Sequence, residues 1–265
     1  AFRATRTALD LKNSKLTAGY FKKVIDRCCK TLKHIDVTGC FQVDDVLLKY
    51  MLEKCKMLKT LSVRNCRKLT DEALAYVVQY GPDINELHLG GNFNLTAHGV
   101  ERFLDTNPNI GNFVGLHLSG LKLNSSILAK IGEKCAALTA LSLSYSECPE
   151  DDIRKLIVTI GKQLDSLSVG WLFSLQTDVH CRSDFLDHIA RHCPRLQELD
   201  ISGLKNVQTI HIEELVSSKR TLADADRLQA GTARALKKLK AKFLATEAFA
   251  EKMGKTFPGL MYEGP

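Results

Sequence analysis

The stretch CKMLKTLSVRNCRKLTDEAL, Cys55 to Leu74, decides the fold. Two cysteines bracket a tight run of aliphatics, with basic residues between them. Such a run reads either as a metal or redox site or as one unit of something periodic. The rest of the chain chooses between them. LKHIDVTGC (32–40), LKTLSVRNC (58–66) and INELHLGGN (84–92) share the pattern L-x-x-L-x-L-x-x-C/N. FVGLHLSGL (113–121), LTALSLSYS (138–146), LDSLSVGWL (164–172) and LQELDISGL (196–204) repeat it more loosely, and a degenerate copy with Leu9 and Leu11 spans 6–14. The last strand position of each copy falls at 11, 37, 63, 89, 118, 143, 169 and 201. Spacing this regular marks a repeat solenoid, and eight copies exceed the three or so that bury a continuous core.

In one unit, L-x-L alternation makes a short strand with its leucines turned inward. The chain turns at the Cys/Asn position and enters a helix such as TDEALAYVVQYG, with Leu74, Val77 and Val78 inward. Thr70 is the expected N-cap, followed by acids in the first turn. Cys29, Cys55, Cys135 and Cys193 stand three residues before the first aliphatic of a copy, where Gly81 and Gly161 stand elsewhere. Cys40 and Cys66 fill the turn slot that Asn92 and Ser146 fill in other copies. Periodic slots argue for packing, with cysteine acting as a small hydrophobe. Nine cysteines, an odd number with no CxxC pair, suit free thiols in a reducing compartment.

The pattern C-x-x-L-x-x-L-x-L-x-x-C, followed by a helix opening L-T-D-x-x-L, resembles the cysteine-containing leucine-rich repeat family typified by F-box leucine-rich-repeat proteins. The resemblance covers about residues 6 to 216. It implies an α/β horseshoe with an inner parallel sheet and outer helices. It also implies a non-catalytic role, that of holding a target protein, which F-box members present to a ubiquitin ligase. The alternative is a structural subunit of a large axonemal, mitochondrial or ribosomal assembly. No phosphate-binding or nucleophile-elbow motif occurs, so no catalytic residue and no cofactor is expected. The opening AFRATRTALDL suits either the residues after a mitochondrial presequence or an arbitrary boundary. Cytoplasm or nucleus is the expected location, with the mitochondrion as the alternative.

Residues beside the strand leucines should line the concave face. One column reads Asp10, Asp36, Ser62, His88, His117, Ser142, Ser168 and Asp200. The next runs from Lys12 through Thr38 and Arg64 to Ser202. It is a small, hydroxyl-rich wall without aromatics, from which Asp36, Arg64, His88 and His117 are taken as partner-binding. Trp171 and Phe173, in an enlarged loop, are the expected hot-spot anchors. His88 and His117 should be neighbours, but with no third ligand in the adjacent columns no metal is expected there. A second cluster, His180, Cys181, His188, His192 and Cys193, could form a zinc site, except that the repeat puts both helical histidines on the outer, solvated side.

Charge is segregated. Residues 1–68 carry a net +10, residues 69–204 a net −7 and residues 205–265 a net +4. An acidic partner at the N-terminal repeats is therefore expected, a protein before an RNA, because the basic run shows no interleaved aromatics. The repeat domain is read as 1–218. Residues 219–265 are read as a helical extension or cap, with a helix from Thr221 to about Met253. Leu236, Leu239, Phe243 and Met253 would form a seam for a partner helix, opposite Lys237 and Lys238. No apolar run approaches the roughly 20 residues of a membrane-spanning helix.

Overall fold

The computed structural model describes residues 3–4, 7–172, 184–204, 207–227, 235–242 and 247–263. They form strand–helix repeats in two compact units, 1–137 and 138–265. In the first unit the order is β1 (Arg3–Ala4), β2 (Ala8–Asp10), α1 (Ala18–Cys28), β3 (His34–Asp36), α2 (Asp45–Lys54), β4 (Thr60–Ser62), α3 (Asp71–Tyr80), β5 (Glu86–His88), α4 (Ala97–Thr106), β6 (Gly115–His117) and α5 (Ser125–Lys134). The second unit holds β7 (Ala140–Ser142), α6 (Glu150–Ile160), β8 (Ser166–Ser168), α7 (Phe185–His192), β9 (Glu198–Asp200), α8 (Thr209–Arg227), β10 (Lys238–Lys240), α9 (Glu247–Thr256) and β11 (Met261–Glu263). β2 to β6 pair in parallel in chain order, with β1 antiparallel on β2. β7 to β11 are likewise parallel in chain order. This is the α/β leucine-rich repeat fold expected from the sequence.

The register carries the core. Leu9, Ile35, Leu61, Leu87 and Leu116 align across the first sheet, each at most 1% exposed. Burying each such side chain stabilises by about 1.5–3 kcal/mol. The helix start read from the sequence at Thr70 is observed, and three further helices are capped alike. Thr70 Oγ1 accepts from Glu72 N, Asp44 from Leu47 N, Thr96 from Gly99 N and Asn124 from Ile127 N. Repeats are also latched laterally. Asp71 accepts from both the backbone N and the hydroxyl of Thr96, at 2.8 and 2.6 Å, and Asp45 holds Thr70 in the same way.

The turn slot does more than pack. The thiol of Cys40 donates to Leu11 O at 3.0 Å, and that of Cys66 to Val37 O at 3.2 Å. In the same slot Asn92 Nδ2 donates to Val63 O and Leu89 O, at 2.9 and 2.8 Å. Each is fully buried and reaches a carbonyl of the preceding repeat. Burial pushes the thiols of Cys55, Cys66, Cys135, Cys148 and Cys193 up to about 12, which leaves them protonated and unreactive. Cys29 departs from the packed expectation in being half-exposed.

The expected C-terminal helix does not form as read. Lys238–Lys240 is a strand whose backbone pairs with β9, for example Ile201 N to Lys240 O at 2.9 Å. Leu239 aligns with Leu199 and is fully buried, and Leu236 and Met253 are buried in the same unit. None of these three offers a seam to a partner helix. Lys238 is paired with Glu263 at 2.9 Å, Lys237 is exposed at the start of the strand, and Phe243 lies outside the described residues. The heptad-like spacing was the coincidence of a further L-x-x-L-x-A copy with a helix that follows it. A free strand edge at β9 supplies the hydrogen bonds that select the extended form. No helix among the described residues is long and apolar enough to cross a membrane.

Candidate functional site

On the sheet face away from the helices, three columns stand side by side in the first unit. The middle and outer ones are those read from the sequence. The third, Ala8, His34, Thr60, Glu86 and Gly115, was not singled out, and it supplies what the histidines lacked. His88 and His117 pair in register and stack, with ring centroids 3.9 Å apart and planes 5° from parallel. Glu86 Oε1 lies 3.0 Å from His88 Nε2 and 4.0 Å from His117 Nε2. Its other oxygen accepts from Thr60 Oγ1 at 3.1 Å. The sequence signal was present two residues before His88, on the same strand face.

Electrostatics follow from this packing. Burial, and then the neighbouring His88, push the His117 imidazole down to about 4. The hydrogen bond from His88 leads the causes that hold the Glu86 carboxyl below its ordinary value. Arg64 is exposed beside the group, over Gly90, and its charge bears on His117. Asp36 sits further along, tied to Lys12 at 3.1 Å, and that contact raises the lysine's pKa. Asp36, Arg64 and His88 line a concavity of about 520 Å³ that runs from Ala8 to His88. The structure thus brings Arg64, His88 and His117 together with Glu86 and leaves Asp36 two strands from His88, in a separate ion pair.

The helical side of the same unit carries a second feature. Lys22 Nζ lies 5.0 Å from the Tyr50 ring centroid, and Lys54 5.7 Å from the same ring. Lys49 lies 5.4 and 5.6 Å from the Tyr76 and Tyr80 centroids, and Lys56 5.7 Å from that of Tyr80. Lys23 faces Tyr20, which is 60% exposed. The expectation of a basic surface without aromatics is therefore corrected. Some of these pairs are local, Lys23 with Tyr20 and Lys54 with Tyr50, and the others join residues distant in sequence across α1, α2 and α3.

In the second unit Trp171 follows β8 and stacks on Tyr145, with centroids 6.0 Å apart and planes at 10°. Both have left-handed backbones, φ 54° and 61°, at the turn position that Asn13, Gly39, Asn65, Gly91, Gly120 and Gly203 occupy elsewhere. That conformation costs a side-chain-bearing residue about 1–2 kcal/mol. The Trp171 ring presses on Gly203, where an added Cβ would fall within 2.4 Å of it. Tyr145 is 52% exposed and Trp171 partly so. Phe173, His180 and Cys181 lie outside the described residues. His188 and His192 are half-buried rather than solvated, and His188 Nε2 is engaged at 3.1 Å with Arg154 O. Among the described residues, Glu86, His88 and His117 are the one group of three or more whose ligand atoms could close on an ion.

No protein-family model matches the chain, and no curated protein matches its sequence. Solved structures do. The chain is similar to one in the crystal structure of the Rad7 and Elc1 complex in yeast, with a TM-score of 0.56 and 14% identity over 98% of this chain and 81% of that one. It is also similar to the leucine-rich repeat-containing protein LegL7 from Legionella pneumophila, with a TM-score of 0.52 and 15% identity over 97% and 82%. At these identities the likeness is one of fold, and the fold is that of leucine-rich repeat proteins.

Proposed function

We propose that the protein is a non-enzymatic interaction scaffold whose first unit docks an acidic surface of a partner protein. The observation that carries this is the array of lysines held over tyrosine rings on α1 to α3. Each cation–π contact is worth about 0.5–1 kcal/mol at an exposed site and orders the lysine. Lys49 is in addition paired with Glu53 at 3.9 Å. Tyrosine is enriched at protein interfaces and the lysine charges steer an acidic surface, while the interleaving of rings with cations also suits a nucleic acid, which the nuclease arm of the test below reads. The fold supports the reading as one that presents broad surfaces, and one solved neighbour stands in a two-protein complex. The target-holding half of an F-box leucine-rich-repeat receptor would work in this way. So would a subunit seated permanently in a larger assembly, and the stability of the purified complex at high salt separates the two.

The test is co-purification of the tagged chain from native extract, with and without glutamine at Lys22, Lys49, Lys54 and Lys56. Far-ultraviolet circular dichroism confirms that the variant folds. The reading expects an acidic protein that leaves the eluate with the variant and survives nuclease treatment. An unchanged set of co-purifying proteins counts against it, and loss on nuclease treatment makes the partner an RNA.

A further inference from the structure

We propose that Glu86, His88 and His117 form a binding site for a divalent transition ion of the zinc class. Two imidazoles and a carboxylate are a recurrent ligand set for such ions, with one coordination position left open. The geometry is close to what the ion needs. Bonds of about 2.1 Å in tetrahedral geometry put ligand atoms about 3.4 Å apart. The carboxylate oxygen stands 3.0 Å from one Nε2 and 4.0 Å from the other. All three ligand atoms lie within 4.8 Å of one another. The spacing of the ligand atoms suits the ion, but the rings are stacked with planes 5° from parallel, so closing the set requires the imidazoles to turn out of the stack until each Nε2 lone pair meets the ion.

The surroundings are arranged as for a ligand set. All three residues sit on adjacent, register-locked strands, so the backbone presents them rigidly. Thr60 donates to the carboxylate oxygen that faces away from the imidazoles, which aims the other oxygen at them. Gly115, opposite Glu86 in register, leaves room for that side chain, and a Cβ there would fall 2.7 Å from Glu86 Cγ. The open position faces the exposed side of the sheet beside Arg64, where a water or a carboxylate of another molecule completes the set. Arg64 is solvent-exposed, which weakens its opposing charge without removing it.

Zinc titration by calorimetry, followed by metal analysis after dialysis, tests this on the full chain. The half-exposed thiols among the described residues are first removed as Cys28→Ser and Cys29→Ser. One ion per chain with a micromolar or tighter dissociation constant is expected. Glu86→Gln and His88→Ala should each weaken binding at least about tenfold, and Thr60→Ala by about tenfold. Cobalt in place of zinc should give a tetrahedral visible spectrum without a thiolate charge-transfer band, a readout that needs no variant to fold. Failure of the parent chain to bind stoichiometrically overturns the assignment. So does a thiolate band, or binding that persists unchanged in a folded Glu86→Gln chain.

Discussion

At the scale of single residues, the turn slot carries a hydrogen bond in some repeats and only packing in others, such as those with Leu121 and Leu204. Where it carries one, a buried carbonyl that already accepts a turn N–H of its own repeat, as Val37 O does from Cys40 N and Val63 O from Cys66 N, gains a second donor, each such bond being worth about 0.5–1.5 kcal/mol. Cys40, Cys66 and Asn92 all reach such a carbonyl. The sequence showed that these residues were equivalent but read the equivalence as packing alone, since periodicity reports position and not donors. Asn92→Ala should lose about 2 kcal/mol in chemical denaturation. Asn92→Cys should recover at least half of that, because a thiol serves the slot in two other repeats. Equal losses in the two variants would show that volume, not donation, sets the slot. The trio of Glu86, His88 and His117 was half legible for a related reason. The two columns flanking the leucine rhythm on its later side were read, and the column two residues earlier, with Glu86, was passed over.

At the scale of elements, strands and helices were legible wherever the leucine rhythm was intact. Thr70 was recognisable as a cap from its place before Asp71 and Glu72, and it caps α3. The rhythm was lost after α8, where β9 and β10 are separated by a long insertion and Ala241 stands where a leucine would mark the copy. Helical spacing of Leu236, Leu239 and Met253 then outweighed a three-residue strand whose stability comes from its neighbour, a contact that local pattern does not contain. The end of α7 holds another non-local device. Lys219 is fully buried and donates to the carbonyls of Cys193 and Pro194, the latter at 2.7 Å, so that a cation from α8 satisfies the last turn of α7. Burial pulls its pKa from the ordinary 10.5 down to about 8. The unfolded chain therefore holds the proton more tightly than the folded one. This residue's contribution to stability is least below pH 8 and rises as pH climbs from about 8 towards 10.5. Thermal unfolding of the parent chain and of Lys219→Met across that range isolates the effect, because other groups cancel in the difference. The parent should gain relative to the variant as pH rises, and a flat difference would mean that the amine is not desolvated.

At the scale of the whole molecule, charge is divided between the units. Residues 1–137 carry 20 Lys/Arg against 13 Asp/Glu, and residues 138–265 carry 17 against 17. The entire net charge of +7 thus belongs to the first unit. That asymmetry was legible in the sequence and its texture only in part: Lys23 over Tyr20 and Lys54 over Tyr50 are three- and four-residue pairs on one helix, whereas Lys22 meets Tyr50, and Lys49 and Lys56 meet the tyrosines of α3, only once α1, α2 and α3 lie side by side. The second unit presents a different surface, the strained and stacked pair of Tyr145 and Trp171. Strain of that kind persists where surrounding structure imposes it and is often tied to function. The central claim is that the Lys–Tyr face of the first unit receives an acidic protein. Its most direct test is lysine acylation read by mass spectrometry, with the chain free and then bound to its co-purified partner. The account predicts protection of Lys22, Lys49, Lys54 and Lys56, while Lys155 and Lys162 of the second unit react as in the free chain. Equal reactivity of the four in both states, or protection confined to the second unit, would contradict it.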